Sequence, residues 1–267
     1  MLSARSFRTE FVRLFWPVLV ISFLINPSNL EAQDFQQKAS NPNSVILGVL
    51  KEMPVGGGYS AASGATRALQ SAAHVRSGRL EVEPALAHTT YCSGATYLVF
   101  LRALERMAPG STISGNLADA LAVKGQPDGV GVWGRWNANG PGTACLFKEL
   151  GIGRNFSSFE EARPGDFMKI FWSGAVGRRE HGHSVIYLGT ETKNGIESVI
   201  FWSSNVPNGY GTKSVPRSRI ASAIFSRLEY PTRIEQALSL PPRNAFLASL
   251  LSTDSSMSEA LAQSGAR

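Results

Sequence analysis

The chain has 267 residues, 43% hydrophobic and 17% charged, with 26 Gly and 14 Pro, a composition that suits a folded domain and excludes a fibrous or low-complexity chain. Its 26 Lys and Arg outnumber 20 Asp and Glu, for a formal net charge of +6. The basic residues are scattered, Arg178-Arg179 being the densest point, and no basic helix or basic–aromatic alternation occurs, so no nucleic-acid partner is expected.

Taken in chain order, Arg5, Arg8 and Arg13 precede an apolar run from Leu14 to Ile25, which Asn26-Pro27-Ser28 breaks. A basic stretch, a short apolar stretch and a polar break predict a secretory signal over 1–32, cleaved after Ala32, although Leu30 stands where a small residue is preferred. The run is short for a membrane-spanning helix. An exported protein, periplasmic or extracellular, is therefore expected, attached to a membrane only if the signal stays uncleaved. Residues 33–58 are polar and end in Pro54 and Gly56-Gly57-Gly58, which predicts a flexible lead-in with a short helix over Ser44 to Leu50.

Ala61 to Val75 is Ala-rich and reads as helix, whereas Arg76 to Thr90, with Gly78 and Pro84, reads as loop. Thr89 or Thr90 would cap a helix opening at Tyr91-Cys92-Ser93-Gly94. The run Ala95 to Leu101 is apolar on every face, as in a core helix, and Pro109-Gly110 ends it. Asn116 to Lys124 and Thr143 to Leu150 predict two more helices. Between them Trp133 to Gly140 reads as a loop of exposed aromatics that either lines a groove, through Trp136, or packs over the core.

The second half switches to a period of two. Pro164-Gly165-Asp166 forms a turn, Phe167 to Trp172 a strand and Gly174 to Glu180 a loop. Ser184 to Leu188 is the next strand, turned at Asn194-Gly195 into Ser198 to Ser203. Asn208 to Gly211 turns again, and Ile220 to Leu228 is the last strand. Helices first and an antiparallel meander after predict an α+β domain. Residues 231–267, with Pro241-Pro242 and a Ser-rich end, read as a helical or flexible tail outside that domain. No internal repeat is visible.

The chemistry centres on Cys92 and His183. A thiol at a helix start faces unpaired amides and the positive end of the helix dipole, both of which favour thiolate. The same amides, with Tyr91 and Ser93 as side-chain candidates, could serve the oxygen of a tetrahedral intermediate. His183 opens a strand, which would hold a general base rigidly, and a third group must fix its ring. Asn205 is the choice for that role because its amide oxygen accepts the ring N–H without adding charge; Ser203 and Ser204 are the runners-up. Asp166 is a turn former. No cofactor or metal is expected.

Two alternatives stay open. A Cys92–Cys145 disulfide would make the chain a non-catalytic wall- or partner-binding module, although Cys145 looks like a small apolar residue on a buried helix face. His181 and His183, alternate residues of one strand, would make two ligands of a zinc peptidase, with only His74 and His88 left to supply a third imidazole.

Cys92-Ser93-Gly94 at a helix start, the Pro164-Gly165-Asp166 turn and His183-Ser184-Val185-Ile186-Tyr187-Leu188-Gly189 together resemble the NlpC/P60 and CHAP group of papain-like cysteine peptidases and amidases. The likeness runs from about Tyr91 to Asn205. It implies a papain-like core within a catalytic domain over 59–230, with Cys92 as nucleophile, His183 as base, Asn205 as orienting group and Tyr59 as the aromatic residue that helps the oxyanion hole. It implies as well a bacterial hydrolase cutting peptide or amide bonds of peptidoglycan; a monomer is expected. Acyl transfer to an amine would use the same residues. The sequence departs from that group in having Tyr91 where Asp often precedes the Cys, and in a longer Cys-to-His spacing.

Overall fold

A computed structural model describes residues 41–267 apart from 109 and 111; the signal reading of 1–32 and the first part of the lead-in lie outside the described residues. The first element is helix α1 (Pro42–Leu50), whose start is capped by the Asn41 side chain accepting from the Asn43 amide at 3.1 Å. A glycine strap carries β1 (Gly56–Gly57) and leads to α2 (Ser63–Ala72). The hairpin β2 (Ala73–Arg76) and β3 (Arg79–Val82) follows, then a 3-10 turn over Pro84–Ala87. Next come the long helix α3 (Cys92–Met107) and the short helices α4 (Gly115–Leu121), α5 (Gly131–Asn137) and α6 (Gly142–Leu150).

The second half carries β4 (Gly153–Phe156), β5 (Phe167–Phe171), β6 (Val176–Gly177), β7 (Gly182–Lys193), β8 (Ile196–Asn205), β9 (Gly209–Pro216) and β10 (Ser222–Leu228). The chain closes with a 3-10 segment, Pro231–Ser239, then α7 (Ala245–Ser249), β11 (Asp254–Ser255) and α8 (Met257–Ser264). Seven strands form one sheet in the order β1-β9-β8-β7-β5-β10-β4, with every pair antiparallel. The class is α+β, as expected. Among the described residues no helix is long and apolar enough to cross a membrane.

The period of two along the strands sorts side chains onto two faces. Phe167, Ile186, Trp202 and Tyr210 join the helices in the main core. Met168, Ile170, Val185, Tyr187, Phe201 and Phe225 form a second cluster on the other face. α3 lies inside the main core, its side chains from Ser93 to Leu101 all buried. That is the fate expected of a helix with no polar face.

Several expectations are corrected. The aromatic loop at 133–140 is largely helix α5. Trp133 and Trp136, one turn apart, are both 2% exposed and pack on Tyr97 and Phe100 at ring distances of 5.1 Å and 4.7 Å. Trp136 is thus a core residue, its indole N–H donating to the Ser93 carbonyl at 3.1 Å. The supposed loop 76–90 contains most of the β2–β3 hairpin, because Ser77-Gly78 adopt the positive φ that a tight turn requires. Residues 41–58 of the lead-in are ordered rather than flexible: Asn43 is buried and its Nδ2 donates to Asp166 Oδ1 at 2.8 Å. Residues 209–211 open strand β9 rather than merely turning, and β4, unforeseen, forms the far sheet edge.

The C-terminal segment 231–267 is no detached tail. Leu247 and Leu250 are buried, β11 pairs with β6, and the Ser264 carbonyl accepts from Asn155 Nδ2 at 2.8 Å. Asp166 does more than shape a turn. It is fully buried, accepting from Arg163 N at 2.8 Å and from Arg227 Nε and Nη2 at 2.8 and 2.6 Å.

Candidate active site

The site forms where the start of α3 meets the ends of β7 and β8. Tyr91 occupies the N-cap position of α3, and no side chain caps the helix. Thr89 and Thr90 do not fill that role: the Thr89 hydroxyl donates to Gly57 O at 2.6 Å, and the Thr90 hydroxyl is buried without a partner. The first amides of α3 are therefore free of a side-chain acceptor beside the thiol. Gly94 lets the helix start approach its neighbours, since a Cβ there would lie 2.7 Å from Thr90 Oγ1 and 3.0 Å from Leu69 Cδ2.

His183 is the second residue of β7, paired across the sheet with Ile170. Gly182 precedes it in close contact with two side-chain ends: a Cβ at that position would lie 2.5 Å from Glu180 Oε1 and 2.9 Å from Lys169 Nζ. Those two atoms form a largely buried ion pair at 2.6 Å. The Glu180 carboxylate is held further by the amides of Gly140 at 2.6 Å and Gly177 at 3.2 Å. Trp172 stacks beside the His183 ring at 6.3 Å, and Phe201 meets it edge-on at 5.6 Å.

Asn205 fixes that ring. Its Nδ2 donates to the carbonyls of Ser203 at 3.1 Å and Gly211 at 2.8 Å, so both amide hydrogens are engaged. Its Oδ1 is thereby left to accept, and it lies 3.1 Å from His183 Nε2. The ring must carry its hydrogen on Nε2, leaving Nδ1 for the thiol. Ser203 and Ser204 are engaged elsewhere, their hydroxyls donating to Ser184 O at 2.7 Å and Thr90 O at 2.9 Å.

Burial alone would push the Cys92 thiol up. Hydrogen bonding to His183, the charge of that imidazole, the Ser184 amide and the charge of Lys169 together outweigh it and lower the thiol to about 6. Cys92 as a residue is only partly buried. Tyr59 stands against it, delivered by the strap Gly56-Gly57-Gly58, whose residues all have φ near +80°. A Cβ on Gly57 would lie 1.9 Å from His88 O, so only glycine allows the strap to run this close. Burial, the negative charge of Cys92 and a hydrogen bond to it raise the Tyr59 hydroxyl well above its ordinary value. It stays neutral and able to donate. A cleft of about 320 Å³ opens here, lined by Tyr59, Trp172, His183, Phe201 and Asn205 among others.

The other candidates are not in the cleft. Tyr91 is half-buried against Trp133 at 6.4 Å and bonds Thr66. The Ser93 hydroxyl donates to Asn137 Oδ1 at 2.7 Å, on the α5 side. Sequence reasoning missed Trp172 and Lys169; the antiparallel pairing of β5 with β7, which sets Lys169 opposite Ser184, was the signal that would have found them.

Both cysteines are free. Cys145 packs with Ala138, Leu247 and Leu250, and burial raises it to about 12. The Cys92–Cys145 bridge is therefore corrected: one thiol opens α3 towards His183 and the other is sealed in a separate apolar cluster. Among the described residues no three His, Cys, Asp or Glu side chains gather as a metal set requires. His74 lies 3.7 Å from Glu81 in the β2–β3 hairpin and His88 reaches Val55 O, so neither completes a set with His181 and His183. Comparison with family models, with curated proteins and with solved structures returned no match.

Proposed function

We propose that this protein is a cysteine peptidase or amidase with a papain-like core, similar to the NlpC/P60 and CHAP group. Its proposed substrate is a peptide or amide bond of bacterial peptidoglycan outside the cytoplasm. The observation that carries this reading is His183, its ring fixed by Asn205 at 3.1 Å beside a cleft, together with the Cys92 thiol that this imidazole helps to lower. A thiolate, a base whose tautomer is fixed and free helix-start amides are the parts acyl transfer needs.

In this mechanism the Cys92 thiolate attacks the scissile carbonyl and forms a C–S bond. The carbonyl oxygen takes up negative charge, which the uncapped amides of α3 and the Tyr59 hydroxyl stabilise. Collapse breaks the C–N bond as the His183 imidazolium gives its Nδ1 proton to the leaving amine. Water then attacks the thioester, losing one proton to His183, and the C–S bond breaks to release the thiolate and a carboxylic acid, which gives its proton to solvent. Asn205 acts as a positioning residue throughout.

Cys92→Ala is expected to abolish release of new amino termini from purified peptidoglycan while leaving the circular dichroism spectrum unchanged. Undiminished release by the folded variant would overturn the proposal.

A further inference from the structure

The cleft beside His183 extends along β9 and is lined also by Phe201, Val215 and two cations, Lys213 and Arg219. Lys213 is cross-strand from Phe201 and two residues beyond Gly211, the carbonyl partner of Asn205. That spacing sets it about 7 Å along the strand. Arg219 comes from the adjacent 3-10 turn, Arg217–Arg219. Both side chains are exposed, and among the described residues neither is in an ion pair.

Other exposed cations, Lys51, Arg67 and Arg79 among them, likewise have no carboxylate at ion-pair distance among the described residues, so what sets Lys213 and Arg219 apart is their place in the cleft. Arg154, Arg179 and Lys193 each have a carboxylate within 3.1 Å. No acidic side chain lines this cleft, so its positive field is uncancelled within the walls. Trp172, Phe201 and Val215 supply apolar surface in the same cleft. A peptide lying in the cleft would thus meet apolar contact near the scissile bond and two cation donors about one or two residues further on.

We propose that Lys213 and Arg219 bind a substrate carboxylate, which makes the preferred substrate an acidic peptide. This inference rests on the peptidase reading of the same site. The carboxylate belongs either to an acidic side chain or to the peptide's free C-terminus, the two chemically equivalent sources for such a pair of donors.

Three matched peptides test it. One has a central glutamate and an amidated C-terminus; the second has glutamine there and a free C-terminus; the third has glutamine and an amidated C-terminus. Binding is measured calorimetrically on Cys92→Ala protein, and turnover on the unaltered protein. At least one carboxylate peptide is expected to bind roughly tenfold more tightly than the neutral one, the worth of two exposed charge pairs. That peptide identifies the source. The advantage should fade at high salt, vanish in a Lys213→Gln/Arg219→Gln variant of unchanged melting temperature, and persist in Lys193→Gln.

Equal binding of all three peptides, no binding of either carboxylate peptide at millimolar concentration, or an advantage that survives the double substitution would overturn the proposal. Preferential binding without turnover of any peptide would instead remove the peptidase reading and leave the carboxylate site standing. Equal turnover of all three would do the reverse.

Discussion

His183 works through what holds each of its nitrogens. The Asn205 amide has both donors taken by the Ser203 and Gly211 carbonyls, so it can present only oxygen to Nε2. Replacing Asn205 with Ala removes the acceptor and frees the ring to rotate. The expected result is a fall in kcat on the order of 100-fold, the cost of a misplaced base, with KM little changed. Ser203→Ala, whose hydroxyl serves Ser184 O, should leave the pH profile of turnover intact. The thiol gives a second test. Because hydrogen bonding and charge around Cys92 outweigh burial and lower it to about 6, the reactive thiolate is present above that pH and lost below it. Alkylation of Cys92 by iodoacetamide should rise through a midpoint near pH 6. Cys145, raised by burial to about 12, should stay unlabelled in the folded protein. A midpoint near that of an ordinary free thiol would show that the imidazole does not support the sulfur.

At the scale of elements, the helix start and strand ends that build the site were legible because each carries a local signal. Cys92-Ser93-Gly94 announces a helix start that needs small neighbours, and Asn194-Gly195 fixes the β7–β8 hairpin. The hairpin in turn sets Asn205 within reach of His183. What was not legible depended on tertiary burial. In α5, Gly131, Gly134 and Asn137 are poor helix formers, and the element exists because Trp133 and Trp136 are driven into the core. Its buried Arg135 gave a contrary signal, resolved only by Glu149 at 2.5 Å and the carbonyls of Gly131 and Pro241. Strand β4 begins Gly-Arg-Asn, with no alternating pattern, and pairs because β10 offers an open edge. Trp136→Ala should therefore cost about 3–5 kcal/mol in urea unfolding, as a large core truncation does. A substrate-contacting loop residue would instead change KM with little loss of stability.

The whole molecule is tied together around Asp166, at the junction of α1, the 164–166 turn and β10. Its carboxylate is fully buried and accepts from Asn43, Arg163 and both donors of Arg227. Arg227 is held above its ordinary value chiefly by its hydrogen bonds to Asp166. The C-terminal segment closes the opposite side, with Ser157 N donating to Arg267 O at 2.9 Å and Asn155 bound to Ser264. These ties join residues far apart in sequence, which is why 41–58 and 231–267 looked separable when read alone. A buried ion pair is costly to break from one side, because the survivor is left charged and unpaired in a dry interior. Arg227→Leu should thus destabilise the fold by about 3–5 kcal/mol. Replacing both partners, as Asp166→Leu with Arg227→Leu, should recover part of that loss. The test is a double-mutant cycle read by urea denaturation, with Cys92 alkylation at neutral pH measured in parallel on the folded variants. Coupling between the two substitutions with unchanged alkylation would assign Asp166 to the frame. A loss of Cys92 reactivity in folded Arg227→Leu would instead link this buried pair to the site itself.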